Sequence, residues 1–161
     1  MNLVALSPGW LAWLLALLLV AAAAEDAIRM RVSNVISFGV LALALLAIAL
    51  VGLDLRLWQN LVMFLVLLTG GTLLFSTGKF GGGDVKLLAA LGLWVDFKGA
   101  LALLIGVSLA GGLLALLILA ARMFASEAAA RRVIVLRAGA GIPYGVAICV
   151  GALITMALQR R

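Results

Sequence analysis

Two aspartates in distant parts of the chain have the residue type and surroundings that suit catalysis. Asp26 follows a long apolar stretch, and Asp84 follows three consecutive glycines, Gly81, Gly82 and Gly83. Two carboxyl groups held close together share one proton, because both cannot ionise at that distance. One of them then activates a water molecule while the other protonates a carbonyl oxygen, which is the chemistry of an aspartic protease.

The composition excludes most other kinds of hydrolytic site. The chain has no histidine and a single cysteine, Cys149. Serine-histidine-acid triads, two-histidine zinc sites and internal disulfides need residues that the chain lacks. A serine-lysine protease stays arithmetically possible, but no serine lies in an obvious partnering position for Lys79, Lys86 or Lys98. Nothing in the sequence indicates a metal or a cofactor.

The elements that must position the aspartates are membrane helices. Of the 161 residues, 67% are hydrophobic and 11% are charged, whereas soluble domains carry about 25% charged residues. Five charge-free stretches are each long enough to cross a hydrocarbon core of about 30 Å. These stretches are residues 3–24, 35–53, 57–78, 99–121 and 138–159. A sixth apolar segment, residues 83–95, is too short for an ordinary span. We therefore expect a single all-α domain, residues 1–161, that is a polytopic membrane protein with six transmembrane helices and a short, irregular fourth helix.

Basic residues sort the loops of this arrangement into two faces. Eight of the 12 Lys and Arg residues fall in one set of loops, which the positive-inside rule places in the cytoplasm. Both termini then face outward, and Glu25, Asp26 and Asp84 lie at the cytoplasmic side. Asp54 and Asp96 lie outside, where they are expected to be solvated loop charges or helix caps. The net charge of +6 is explained by topology and by contact with anionic membrane lipids, so nucleic acid is not expected as a partner.

The short fourth helix favours the catalytic interpretation of Asp84. Taken alone, a carboxylate after three glycines is equally well explained as the N-cap of the next helix. A helix too short to span, however, pulls its first residues toward the membrane interior, and burial there raises the pKa of a carboxyl group. A carboxylic acid of raised pKa beside a second carboxylate is what general acid-base catalysis at neutral pH needs.

Three stretches of sequence carry a family resemblance. They are EDAIRMRVSN at residues 25–34, GGGDVKLLAALGLW at 81–94 and GIPYGVAICVGAL at 141–153. In order and spacing they resemble the type IV prepilin peptidases, which are polytopic intramembrane aspartyl proteases with a Gly-x-Gly-Asp motif. The resemblance is closest to the small form encoded with tight-adherence (Flp) pili.

This resemblance implies both a site and a substrate. Asp26 and Asp84 are the catalytic pair, and Gly81 and Gly83 form the Gly-x-Gly part of the motif. The substrate is a prepilin whose apolar helix stays in the membrane while its basic leader stays cytoplasmic. The leader is cut off after a glycine, at the cytoplasmic face of the bacterial inner membrane.

The sequence departs from the family pattern in two places. The first segment of the family usually has a proline where this chain has Ser33, although serine is itself an acceptable helix cap. Larger members carry a methyltransferase insertion with cysteine pairs between the first two spans. Here that interval is only residues 25–34, without cysteine, so we expect a peptidase without a methyltransferase domain.

Several residues on the cytoplasmic side are candidates for contact with the substrate. They are Glu25, Arg29, Asn34, Gly81, Gly83, Lys86, Pro143 and Tyr144. The basic residues among them also satisfy the positive-inside rule, and Asn34 suits the cap of the second helix. Lys86 is two residues from Asp84, and such neighbours do not face each other on a helix, so no direct ion pair is expected. Pro143 is expected to free the carbonyl of Gly139 inside the last helix, either to pair with substrate backbone or merely to kink the helix.

Small and aromatic residues in the spans are assigned to packing and to the membrane interface. Five glycines are expected to allow close helix contacts, namely Gly70, Gly71, Gly106, Gly111 and Gly112. The tryptophans, including Trp94, are expected to anchor the outer ends of the spans.

Two functions from other classes stay open. A small ion or proton-coupled transporter would use Asp26 and Asp84 as ion sites, since intramembrane carboxylates also serve that role. Against it, the chain shows no inverted repeat of broken helices. A catalytically degenerate pilus assembly factor would not need both aspartates and the glycines, and all of them are present.

Overall fold

All regular structure in the described part of the chain is helical. The computed structural model describes residues 1–78, 80–124, 134–137 and 140–160. Within these ranges the α-helices are α1 (Leu3–Leu6), α2 (Gly9–Arg29), α3 (Asn34–Val51), α4 (Leu57–Ser76), α5 (Gly82–Gly92), α6 (Phe97–Phe124) and α7 (Tyr144–Gln159). A short 3-10 turn, Ile134–Leu136, precedes α7. The predicted all-α fold class is confirmed for these residues.

In the described ranges, four helices are long and apolar enough to cross a membrane. They are α2, α3, α4 and α6, which contain 18 to 28 residues. The apolar helix α7 has 16 residues. Helix α5 has 11 residues, or about 16 Å at 1.5 Å per residue, and is not a membrane-spanning helix. The short fourth segment is therefore found as predicted. Of the six predicted spans, four are helices of spanning length, and the count of six stays a prediction.

The first helix boundary differs from the prediction and moves the acidic residues into a helix. A span over residues 3–24 was expected, but the chain breaks at Pro8 and α2 runs on to Arg29. Proline has no N–H and its φ of −53° suits a position just before a helix. Helix α2 ends at Arg29, and its C-cap residue Met30 has the left-handed backbone conformation and donates its N–H to the carbonyl of Asp26. Asp26 consequently lies in the last turns of α2 and not in the following loop.

Helix α5 is sunk into the centre of the bundle. Eight of its 11 residues are buried, and it packs between α3 and α4 and against α7. At Gly71 of α4, as predicted, an added Cβ atom would lie 2.7 Å from Val85. At Gly92 of α5 it would lie 3.0 Å from the backbone of Met63 in α4. These two glycines let α5 approach α4 more closely than side chains would permit.

The N-terminal residues fill the space beyond the end of α5. The Leu3 N–H donates to the carbonyl of Trp94 at 3.1 Å. The fully buried Asn60 amide donates to the carbonyls of Leu93 at 2.7 Å and Met1 at 2.8 Å. These bonds satisfy carbonyls at a helix end that terminates in apolar surroundings. Trp94 was predicted to lie at the membrane interface, but it is buried and its indole N–H donates to a carbonyl of α3 at 3.2 Å.

Helices α6 and α7 meet through glycine. An added Cβ atom at Gly151 would collide with the backbone nitrogen of Val107, and one at Gly106 would lie 3.2 Å from Gly151. The close-contact role predicted for Gly106 is therefore confirmed, and Gly111 makes an ordinary contact with α7 at 3.5 Å. The same prediction is wrong for Gly70 and Gly112, whose added Cβ atoms would meet no described neighbour within 4 Å, because both face away from the bundle.

We predict that Gly151→Ala destabilises the protein and that Gly112→Ala does not. The added methyl at Gly151 meets backbone that has to shift, and overpacking of this kind costs about 1 to 3 kcal/mol of unfolding free energy. Gly112 provides the matched control, since its added methyl enters open space. Thermal unfolding in detergent measures both, and equal stability of the two variants would contradict this packing role.

Candidate active site

The candidate site lies where the end of α2 and the first turns of α5 and α7 meet. Asp26 belongs to the last turns of α2, and Asp84 to the first turn of α5. Val32, in the connection between α2 and α3, lies between α5 and α7. Its carbonyl oxygen reaches Gly83 closely, and its side chain lies against Gly145. The two segments that carry the aspartates are thus brought to the same end of the bundle.

Asp26 is held by the start of the last helix. Its side chain is 3% exposed, and Oδ2 accepts a hydrogen bond from the backbone N–H of Gly145 at 2.6 Å. Gly145 is the second residue of α7, so this N–H is one of the donors that a helix leaves unpaired at its N-terminus. An added Cβ at Gly145 would lie 2.9 Å from both Cβ and Oδ2 of Asp26. The start of α7 can therefore approach Asp26 this closely only because residue 145 is glycine.

Asp84 is buried in the first turn of α5 and does not cap it. Gly81 is the N-cap residue, so the alternative in which Asp84 caps the helix is wrong. The side chain of Asp84 is 7% exposed and folds back toward Gly81, where an added Cβ would lie 2.6 Å from Oδ2. Among the described residues Oδ1 has no hydrogen-bond partner. One oxygen of this carboxyl group is thus buried and unpaired.

Burial dominates the titration of Asp84. Desolvation, with a smaller contribution from the nearby Asp26 carboxylate, raises the pKa of this carboxyl group to about 7, although a backbone hydrogen bond from Gly81 opposes the shift. A carboxyl group with that pKa retains its proton over much of the neutral range. The raised pKa agrees with the expectation drawn from the short α5.

The Gly-x-Gly segment has a separate steric reason at each outer position. Gly81 leaves room for the folded-back carboxyl group of Asp84, and Gly83 leaves room for the carbonyl oxygen of Val32, with which an added Cβ would collide. The middle residue, Gly82, has only an ordinary contact at 3.4 Å with the Phe75 ring. The motif therefore brings α5 against the α2–α3 connection.

The predicted contact residues on either side of the α2–α3 connection bond to neighbouring groups. Glu25 accepts a hydrogen bond from the Ser33 N–H at 2.9 Å and pairs with Arg29 at 3.6 Å. Ser33 caps α3, with its Oγ accepting from the Ile36 N–H. Asn34 was expected to begin this helix as its cap; it does begin α3, but as the first residue inside the helix, so the capping part of the prediction is wrong. The connection, with Glu25 and Arg29, lines an open cavity of about 500 Å³.

Lys86 and the residues before α7 also have defined surroundings. Lys86 Nζ donates to Asn34 Oδ1 at 2.8 Å, in agreement with the expectation that it does not pair with Asp84. The Tyr144 ring packs against Phe80, with centroids 4.8 Å apart. Pro143 was predicted to interrupt the last helix, but α7 begins directly after it, because proline is well tolerated at a helix start. Gly139, whose carbonyl was expected to be freed, lies outside the described residues.

Sequence reasoning missed three residues of this site. Gly145 lies two residues after Pro143 at a helix start, and that position could have marked its N–H as a donor for a carboxylate. Ser37 Oγ donates a hydrogen bond to the Gly83 carbonyl oxygen at 3.5 Å. A serine one turn inside a helix does not indicate which distant backbone group its hydroxyl contacts. Val32 takes part in the site through its backbone carbonyl, which contacts Gly83, and a valine in the sequence gives no indication of such a contact. Among the described residues, no three His, Cys, Asp or Glu side chains lie together in a way that could hold a metal ion.

We predict that Gly83→Ala destabilises the protein whereas the neighbouring Gly82→Ala leaves it close to wild type. The Cβ at Gly83 would strike the Val32 carbonyl, which is backbone and cannot rotate away, at a cost of about 1 to 3 kcal/mol. Thermal unfolding of the two purified variants tests this. A Gly82→Ala protein as unstable as Gly83→Ala would show that the steric account of the motif is incorrect.

We also predict that Asp84 makes the protein less stable as the pH rises. The pKa is 3.8 ordinarily and about 7 in the fold, so the folded state binds more protons than the unfolded state between these values. Stability is then highest near pH 4 and is lost as the pH rises toward and through 7. Thermal unfolding of Asp84→Asn between pH 5 and pH 8 should lack this decline, and the exposed-site control Asp54→Asn should keep it. An unchanged decline in Asp84→Asn would show that the raised pKa of Asp84 is not the cause of the loss of stability.

A comparison with protein families covers most of the chain. Residues 13–116 match the model of the type IV leader peptidase family, a range that includes both aspartates and the Gly81–Gly83 segment. A search of the curated proteins and a search of the solved structures found no match. The matched range is well over half of the 161 residues, and it agrees with the resemblance seen in the sequence. The chain therefore belongs to the type IV leader peptidase family.

Proposed function

We propose that the protein is an intramembrane aspartic endopeptidase that removes the basic leader from a type IV prepilin of the Flp class. Family membership supports a leader peptidase. The observation that carries the aspartic mechanism is the pair of buried carboxyl groups, Asp26 and Asp84, at one end of the helix bundle. The charge of Asp26 acts on the titration of Asp84, as a catalytic pair requires.

The chemistry needs one ionised and one protonated carboxyl group. The ionised group takes a proton from water while the water oxygen attacks the carbonyl carbon of the scissile peptide bond. The protonated group gives its proton to the carbonyl oxygen, and a tetrahedral intermediate forms. The proton held by the first group then passes to the leaving amine as the C–N bond breaks. No metal takes part in this scheme.

The short α2–α3 connection supports peptidase activity without methyl transfer. Only residues 30–33 lie between α2 and α3, where larger relatives of this type carry a methyltransferase insertion. The proposed location is the bacterial cytoplasmic membrane, with the pair at the cytoplasmic side and both termini outside. Four helices of spanning length and the excess of basic residues on one set of loops support this arrangement.

Two residues near the pair are suited to hold a substrate peptide. Lys86 Nζ is held by Asn34, and both side chains lie beside the α2–α3 connection. Beneath Lys86, apolar side chains of α3, α4 and α5 line a cavity of about 180 Å³. An apolar side chain of the prepilin helix fits such a lining, and the polar pair at its rim suits the backbone of the leader.

We predict that Asp26→Asn and Asp84→Asn each lower the rate of prepilin cleavage by about 100-fold or more, the usual contribution of one positioned acid or base. The measurement is the accumulation of uncleaved Flp-type precursor in membranes that contain each variant at equal protein level. Asp54→Asn is the control, because the Asp54 carboxylate is exposed and accepts a hydrogen bond from the Arg56 N–H in a loop.

Wild-type processing by either variant would remove the pair from the mechanism. The ion-transporter and degenerate assembly-factor alternatives would then lead. The assay uses membranes from a background without any other leader peptidase, so that processing of the precursor cannot come from a second enzyme.

A further inference from the structure

The two aspartates of the pair have unequal surroundings. Asp26 Oδ2 receives the Gly145 N–H at 2.6 Å in a buried position. Asp84 Oδ1 is buried and has no partner among the described residues. A buried carboxylate oxygen without a donor is costly when the group is charged and much less costly when it is neutral. The two groups are therefore suited to different protonation states.

The position of the Gly145 donor is fixed by the packing around it. An added Cβ at Gly145 would lie 2.9 Å from Asp26 and 2.9 Å from Val32, so α7 starts in direct contact with both. On the other side, Arg122 of α6 donates to the carbonyls of Val135 at 2.9 Å and Ala140 at 2.8 Å, in the segment that leads into α7. These contacts on both sides fix the position of the Gly145 N–H that faces Asp26.

Three basic side chains of the helices around the site bond to groups other than Asp26. Arg29 pairs with Glu25, Lys86 bonds Asn34, and Arg122 bonds backbone carbonyls. The N-terminal end of α7 adds the positive end of a helix dipole, which favours a negative charge on Asp26. Asp84 also lies at a helix start and receives the Gly81 N–H, but burial and the Asp26 charge outweigh that bond.

We propose, on the basis of the peptidase function above, that Gly145 is a positioning residue whose backbone N–H holds Asp26 as the ionised base, leaving Asp84 as the protonated acid. Asp26 then takes the proton of the attacking water, and Asp84 Oδ1 gives its proton to the peptide carbonyl oxygen. When the intermediate collapses, Asp26 hands its proton to the leaving amine, and the hydroxyl proton of the intermediate returns to Asp84. Both groups end in their starting states.

The first test uses infrared spectroscopy of the purified protein in detergent at pH 6, without substrate. The C=O band of a protonated carboxylic acid should be present in the wild type and in Asp26→Asn, and absent in Asp84→Asn. Retention of the band in Asp84→Asn, its loss in Asp26→Asn, or its absence from the wild type would each overturn the assignment. This readout does not depend on cleavage of any prepilin, so its failure is distinguishable from failure of the proposed function.

The second test addresses Gly145 itself. Gly145→Ala should lower kcat for precursor cleavage by about 10- to 100-fold, the equivalent of one hydrogen bond to a charged group, with little change in KM. The carboxylate band that is lost in Asp26→Asn should shift in Gly145→Ala and stay in place in Gly112→Ala, the control with open space for its methyl. An unshifted band in Gly145→Ala, or an equal kcat in both variants, would refute the positioning role.

Discussion

Burial of two carboxyl groups inside an apolar helix bundle is the constraint on which the rest of this structure depends. A charged group removed from water loses several kcal/mol of solvation unless partners replace it. The protein meets this cost in two ways: a backbone N–H at the start of α7 bonds Asp26, whereas Asp84 has a raised pKa and avoids the cost by keeping its proton. A helix start supplies N–H groups that are unpaired within the helix, and glycine lets each aspartate approach such a start closely, Gly145 for Asp26 and Gly81 for Asp84.

The shortness of α5 follows from the same constraint. A helix of full spanning length would place its first turn at the membrane surface, whereas 11 residues bring it deeper into the protein. The opposite end of α5 then also terminates inside the bundle, and its carbonyls need donors there. Asn60 and the backbone of Leu3 provide them. One functional requirement thus explains two unusual features, the broken first helix and a buried asparagine in a membrane helix.

Sequence reasoning succeeded where a residue type is tied to one physical role. Apolar composition and charge-free length predicted the helical membrane fold, and the family resemblance is matched by the family comparison. The grouping of Asp26 and Asp84 at one end followed from loop charges alone. The boundaries were less accurate, because Pro8 and Pro143 start helices where hydropathy shows no change. The residue type of Gly145 does not reveal its N–H as the partner of Asp26, since any residue except proline carries such a donor, and only its place after Pro143 gives a sign of this role.

The use of main-chain groups around Asp26 has a consequence for how this site tolerates change. A side-chain donor disappears with a single substitution, but the N–H of residue 145 persists in every replacement except proline. What a substitution alters is the volume at that position, because Asp26 and Val32 leave no space for a methyl group. The site is therefore insensitive to the chemistry of residue 145 and highly sensitive to its size, so variation there is limited by geometry alone.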